Sequence, residues 1–275
     1  MHRLALGCAV AALAILSSGV SAQTPPPGGA TYVQKKTADG HPDLSGTWQN
    51  DAGVTFIASA KDAKGNICVI NCPGAKTQAA TGKPVTAPPP RTFPKYKPEL
   101  LDKVAQLKKE QVKYDPALKC GNPGLPRIGP PMKIVQTGAQ LIFLYDDLNG
   151  SFWRIVNLNK PHREDAEQSL FGDSVGKWEG DTMVIETTSF NDVSWLTDNG
   201  AFHTENMKVV ERIRPGAEGL EYQATVYDPE VLAEPWQMRL RKMAPARAEL
   251  LESPPCVEMS IGKMTGDESF HDNPR

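Results

Sequence analysis

The chain lacks long apolar runs and several enzyme motifs. Beyond its amino-terminal segment, no stretch of the 275 residues is apolar enough to cross a bilayer as a helix, so no membrane insertion is predicted. There is no glycine-rich phosphate loop, no Gly-x-Ser-x-Gly turn and no His-Glu-x-x-His motif. If the protein is an enzyme, these absences favour acid–base chemistry without a cofactor, and no cofactor is predicted.

The chain also lacks an excess of charge of either sign. It carries 30 Lys and Arg residues against 32 Asp and Glu residues. This balance provides no extended positive surface for nucleic acid or anionic lipid. The predicted partner is therefore a small-molecule ligand or substrate, with no nucleic acid, and the sequence specifies no oligomeric state.

The amino terminus has the pattern of a secretion signal. His2 and Arg3 give a short positive region, and residues 4–16 form an apolar run that is too short to span a bilayer. Small residues ending at Ala22 fit a cleavage site. The sequence therefore predicts a signal peptide over 1–22 and a periplasmic or secreted protein after cleavage near Ala22.

Four cysteines remain once the predicted signal is removed, and an even number in an oxidising compartment indicates disulfides. Cys68 and Cys72 are close enough to close a small loop. Cys120 and Cys256 would then join the two ends of the strand-rich region, contributing about 4–5 kcal/mol in the chain-entropy model. A metal site is the alternative for Cys68 and Cys72, but no second pair of ligands accompanies them, so no metal is predicted.

Composition divides the mature chain into three parts. Residues 23–95 are rich in proline and glycine and predict an extension that includes a first strand near 45–50. Residues 96–265 predict a helix plus β domain, with the helix near 98–112 because its apolar residues share one face. Residues 266–275 form a tail.

The period of the apolar residues changes to two after Cys120, which is typical of strands. Asn149-Gly150 is a strong hairpin signal, and Glu179-Gly180-Asp181 predicts a second tight turn. The pattern predicts a mainly β fold, an antiparallel meander closing into a lipocalin-like barrel or a strongly curved sheet. The predicted strands are 133–137, 140–145, 151–156, 174–178, 182–188, 208–214, 220–227, 236–242 and 248–252.

One acidic residue interrupts an apolar face. Met207, Val209, Glu211 and Ile213 alternate along the same side of one predicted strand. A carboxylate there is costly unless it is paired or hydrated. Glu211 is therefore either half of a structural ion pair or an acid that lines a polar cavity, where burial would raise its pKa.

Loops between the predicted strands supply further candidates for a site. In the catalytic hypothesis His162 or His203 is the acid or base and Glu211 orients it or sets its charge. In the alternative interpretation, the Asn and Asp residues of the loop from 191 to 203 only cap turns. The predicted substrate-binding residues, which include two arginines for substrate charge and three tryptophans for an aromatic wall, are Trp153, Arg154, Trp178, Asp181, Asn191, Asp192, Trp195 and Arg212.

The run from Gly176 to Thr182, Gly-Lys-Trp-Glu-Gly-Asp-Thr, resembles the motif of a large family of secreted bacterial proteins. The resemblance implies a mainly β fold, possibly lipocalin-like, and it strengthens the Cys120–Cys256 pairing. The family often has Asp where this chain has Thr197. Further matching segments are 42–48, 120–127, 134–137, 161–162, 172–175, 190–192, 195–196, 210–212, 228–229 and 235–236.

The leading functional hypothesis is an exported lyase, isomerase or hydrolase that needs no cofactor and acts on a small molecule in a barrel-like cavity. The first alternative is a periplasmic small-ligand binding or carrier protein that uses the same cavity without chemistry. The second is an envelope interaction module that makes contact through its proline-rich segment.

Overall fold

The computed structural model describes part of the chain. The described residues are 32–50, 60–61, 67–68, 92–147, 149–246 and 250. The predicted signal peptide, most of the predicted extension, nearly all of the strand predicted over 248–252 and the predicted tail lie outside them.

Strands dominate the described residues, with short helices between the third and fourth strands. The strands are β1 (Gly46–Asn50), β2 (Ala60–Lys61), β3 (Ile67–Cys68), β4 (Lys133–Gln136), β5 (Gln140–Asp147), β6 (Gly150–Leu158), β7 (Asp173–Glu179), β8 (Thr182–Thr188), β9 (Lys208–Gly216), β10 (Gly219–Tyr227), β11 (Trp236–Gln237) and β12 (Arg241–Pro245). The helices are the 3-10 helix Pro98–Leu100, α1 (Leu101–Lys109), α2 (Gln111–Tyr114) and the 3-10 helix Pro116–Lys119.

Nine of these strands close into a barrel, in the order β10, β12, β1, β4, β5, β6, β7, β8, β9 and back to β10. The prediction of a mainly β, barrel-forming fold is confirmed. Eight of the pairings are antiparallel, and β6 runs parallel to β7 with Val156 opposite Ser174. The long connection 159–172 makes this parallel pairing possible because a tight hairpin can join only antiparallel strands.

Alternation along β9 and β10 places one face of each strand in the core. Leu220, Tyr222, Ala224 and Val226 are all buried, as their spacing predicts. The strand predicted over 236–242 is interrupted instead. Leu240 is 38% exposed, and pairing stops after β11 and resumes at β12.

The helical segment matches the predicted helix near 98–112, although it breaks between α1 and α2. Its side chains Val104 and Leu107 pack against the core. Gly200 has a φ of +79°, and a Cβ at this position would lie 2.5 Å from the carbonyl oxygen of Val104. Only glycine fits this approach, which holds the loop before β9 against α1. No helix of the described residues is long and apolar enough to cross a membrane.

Candidate functional site

Glu211 lies in the barrel interior and is fully buried. Its two carboxylate oxygens accept hydrogen bonds from Arg154 Nη1 at 2.7 Å and Nη2 at 2.9 Å. The hydroxyl of Tyr222 donates to Glu211 Oε1 at 2.9 Å, and Arg154 Nη2 donates to Tyr145 Oη at 3.0 Å. Burial raises the pKa of both tyrosines, so both hydroxyls remain protonated.

Arg154 extends this network to the next two strands. Its Nη1 also donates to Ser174 Oγ at 3.2 Å and to Thr187 Oγ1 at 3.3 Å, and the two hydroxyls lie 2.9 Å apart. The guanidinium lies 5.1 Å from the centre of the Phe143 ring. These contacts are those of the structural ion pair, the first of the two alternatives for Glu211. They engage both terminal nitrogens of the guanidinium predicted to bind substrate, whereas its Nε is buried without a hydrogen bond to any residue that the structure describes.

His162 lies after β6 and contacts the carboxylate of Asp173, which is not among the predicted site residues. Its Nδ1 lies 2.8 Å from Asp173 Oδ2, and Asp173 also accepts from the backbone and side chain of Arg163. Burial tends to raise the pKa of Asp173, but the hydrogen bonds from His162 and Arg163 outweigh it and the pKa is lowered. His162 Nε2 is buried, and it lies 3.6 Å from Oε1 of Glu186.

His203 is buried in the loop region before β9, with its ring centre 6.3 Å from that of Phe190. Its Nδ1 lies 3.0 Å from the carbonyl oxygen of Thr204, which can only accept, so this nitrogen carries the proton. Nε2 therefore accepts from Ser194 Oγ at 2.9 Å. Burial lowers the pKa of His203. Ser194 is itself fully buried, and a Cβ at Gly124 would lie 2.5 Å from its Oγ.

The three predicted catalytic residues occupy different surroundings. Glu211 bonds to Arg154, which contacts the inward-facing Ser174 and Thr187. His162 contacts Asp173 and Thr188, which are the direct neighbours of Ser174 on β7 and of Thr187 on β8. Successive side chains of a strand point to opposite faces, so His162 and Glu211 lie on opposite sides of the sheet. The interior network and the two histidines therefore do not form one acid–base cluster.

The predicted tryptophan wall is spread over separate parts of the molecule. Trp153 is 65% exposed on β6. Trp178 stacks on His41 with 4.7 Å between ring centres. Trp195 is buried and its backbone bridges to Phe202. The structure does not bring these rings to one pocket.

The predicted polar ligand-binding residues are also dispersed. Asp181 is exposed in the turn between β7 and β8, and Asp192 is exposed in the following loop. The side chain of Asn191 accepts from a backbone N–H two residues later, which is the turn-capping alternative. Arg212 donates to Glu179 at 3.1 Å on the outer surface.

A cleft of about 960 Å³ opens where β8, β9 and β10 meet the loop that follows β10. Its walls include Thr188, Lys208 and Tyr227 from these strands, Lys97 before the first 3-10 helix, and Leu232. None of the predicted site residues lines it. The cleft combines five separate segments of the chain, so no local pattern in the sequence indicates it, although Asp228-Pro229 and Pro235 belong to the segments that carry the family resemblance.

His162 lies directly behind one wall of this cleft. Thr188 Oγ1 lies 3.4 Å from His162 Nδ1. Lys208 Nζ lies 3.2 Å from Oε2 of Glu186, whose other oxygen faces His162. The cleft and the His162–Asp173 pair are therefore neighbours, separated by Thr188 and the Glu186–Lys208 ion pair.

Two further predictions concern metal and disulfide chemistry. Among the described residues, no group of three or more His, Cys, Asp or Glu side chains could hold a metal ion. The side chains of Cys68, Cys72 and Cys256 lie outside the described residues. Both cysteine pairings therefore stay predictions.

No protein family model, no curated protein and no solved structure matches this chain. The geometry of the barrel and its cleft therefore carries the functional argument.

Proposed function

We propose that this protein binds a small molecule in the cleft at the ends of β8, β9 and β10, and that it does so after export. The observation that carries the proposal is the size of the cleft, about 960 Å³. Small-molecule sites are concave, mostly apolar with a few polar groups, and about 300–1,000 Å³ in volume. The barrel supplies a rigid scaffold on which such a site is held.

The walls combine apolar side chains with polar and charged ones, a composition that suits an amphipathic small molecule. Tyr227, Leu232 and Pro235 offer apolar surface, and Ser189 and Thr188 offer hydroxyl groups. By contrast, the carboxylate of Glu211 is fully buried, and both of its oxygens already accept hydrogen bonds from Arg154 and Tyr222. Ligand binding at the cleft is therefore favoured over binding at Glu211.

Fluorescence titration with the neutral apolar probe N-phenyl-naphthylamine tests this proposal. Ala166→Trp and Ala233→Trp each place a large ring in the cleft wall. We expect both variants to lose most of the probe fluorescence of the unaltered protein. Ala139→Trp, at an exposed position between β4 and β5, is the matched control and should retain it.

The proposal fails if Ala166→Trp and Ala233→Trp bind the probe as well as Ala139→Trp does. Circular dichroism of all three variants checks that they keep the fold. A lost signal in all three, with the fold intact, would also count against the cleft.

The second candidate is acid–base catalysis by His162 at the same cleft. The observation that favours it is the bond from His162 Nδ1 to Asp173, which orients the ring as in many catalytic pairs. However, Nε2 is buried beside Glu186, so a molecule in the cleft meets Lys208 and Glu186 first. This arrangement is why binding is the primary proposal.

Deuterium exchange at the methyl group of acetonaphthone, followed by NMR, separates the two candidates. A base at the cleft would take a proton from the α-carbon and leave an enolate, which regains a deuteron from solvent. Catalysis predicts exchange that is faster than in buffer alone. His162→Gln should abolish this faster exchange. The control His41→Gln, at the histidine that stacks on Trp178, should retain it. Equal rates in all variants would exclude a role for His162 in this chemistry.

Export rests on the amino-terminal pattern alone and has its own test. When the full chain is expressed in a bacterium, we expect the protein in the periplasmic fraction with an amino terminus at or near Gln23. A cytoplasmic protein that retains His2 and Arg3 would contradict export and leave the binding proposal unaffected.

A further inference from the structure

The charged side chains of the cleft differ in whether they have partners. Three are acidic and two are basic, and they come from three segments of the chain. They are Lys97, Glu205, Lys208, Asp228 and Glu234.

Each of the three acids already has a partner. Glu205 accepts from Gln168 Nε2 at 3.0 Å. Asp228 is buried and accepts from the backbone N–H of Thr204 at 2.7 Å and from its hydroxyl at 3.0 Å. Glu234, the third acid, forms an ion pair 2.7 Å long with the lysine two residues before Lys97. These carboxylates need no cation from a ligand.

The two lysines differ from each other. Lys208 Nζ lies 3.2 Å from Glu186 Oε2 and 5.5 Å from the centre of the Tyr227 ring. Lys97 is half-buried, and its backbone N–H donates to the carbonyl of Val231 at 3.0 Å. Its ammonium group has neither a hydrogen bond nor an ion pair with any residue that the structure describes. Lys97 is thus the charged group in the cleft that has capacity for a ligand.

We infer, building on the proposed function, that the cleft takes a small amphipathic monoanion whose carboxylate or sulfonate group binds Lys97. A partly buried ammonium gains most from an anionic acceptor, since charge-assisted hydrogen bonds are the stronger class. Tyr227, Leu232 and Pro235 accommodate the apolar body of the ligand. A dianion is disfavoured, because among the described residues of the cleft only the ammonium of Lys97 lacks a partner, while Glu205 and Asp228 lie in the same walls.

Two fluorescent probes with nearly the same ring skeleton test the inference. Anilinonaphthalene sulfonate carries one negative charge, and N-phenyl-naphthylamine carries none. We expect the unaltered protein to bind the sulfonate more tightly. Lys97→Met should weaken sulfonate binding by about five- to tenfold, with little effect on the neutral probe. Lys119→Met, at an exposed lysine outside the cleft, should change neither affinity.

Displacement of the bound sulfonate tests the preference for a single charge. Naphthalene carboxylate should displace the probe at lower concentration than naphthyl phosphate does at pH 8. Added salt should weaken binding of the sulfonate more than binding of the neutral probe.

Equal affinity for the two probes, or a Lys97→Met protein that binds the sulfonate normally, overturns the inference about charge. Either result leaves the cleft as a binding site for neutral molecules. If Ala233→Trp binds both probes as the unaltered protein does, the cleft is not the site, and both the inference and the proposed function fail.

Discussion

Glu211 and Arg154 meet across the barrel interior through two parallel hydrogen bonds, at 2.7 and 2.9 Å, although they lie 57 residues apart in the sequence. The side chain of Glu211 is 0% exposed and that of Arg154 is 2% exposed. The pair therefore joins β6 to β9 through the barrel interior. Each charge depends on the other to offset the free energy lost when it leaves water.

Removing one partner of this pair should destabilise the fold strongly. Glu211→Gln leaves the Arg154 guanidinium buried without a counter-charge, and we expect a loss of about 3–5 kcal/mol in the free energy of unfolding. Urea denaturation followed by circular dichroism measures it. Glu221→Gln, at the more exposed pair with Arg214, is the matched control and should cost much less.

The double variant Glu211→Leu with Arg154→Met provides a second check. Because it removes both charges, it should be more stable than either single variant. If Glu211→Gln is no less stable than Glu221→Gln, the buried ion pair is not a structural element of this fold.

Stability should depend on pH through His203. Burial holds its pKa below the ordinary value of 6.5, so the unfolded chain binds a proton more readily than the folded chain does. The contribution of His203 to stability is complete above pH 6.5 and is lost as the pH falls through its lowered folded pKa. The unfolding free energy should therefore decrease as the pH falls from neutral.

His203→Gln should flatten this pH dependence, whatever it does to stability at neutral pH. His41→Gln is the control, and its profile should follow that of the unaltered protein. A His203→Gln protein with the same slope below pH 6.5 would show that other groups cause the dependence.

The cysteine pairings have a direct chemical test. We expect peptide mapping of the exported protein without reductant to recover a Cys120–Cys256 peptide and a second peptide linking Cys68 to Cys72. Reduction should lower the unfolding free energy by up to about 4–5 kcal/mol, since the longer loop dominates the chain-entropy effect. Recovery of free thiols at all four positions would contradict both pairings.

The sequence anticipates features that depend on local periodicity. Alternation marks Tyr222 and Ala224 as core residues, and the Glu-Gly-Asp turn appears with Gly180 at a φ of +61°. Glu211 is visible as an acid on an apolar face. The sequence does not identify Arg154 as its partner, because their contact depends on how β6 and β9 come together when the barrel closes.

The cleft could not be predicted for the same reason. Lys97, Thr188, Lys208 and Tyr227 come from segments that only the closed barrel and its loops bring together. The pairing of His162 with Asp173 depends on the parallel arrangement of β6 and β7, whereas the sequence pattern favoured an antiparallel meander. Features set by long-range topology thus required the structure.

The most direct test of the central claim is NMR titration of the labelled protein with N-phenyl-naphthylamine, followed through backbone amide shifts. Binding at the cleft predicts shifts concentrated at Thr188, Lys208, Tyr227 and Leu232. Shifts centred instead on the inward-facing Phe143, Tyr145 and Arg154, with the cleft residues unchanged, would contradict it.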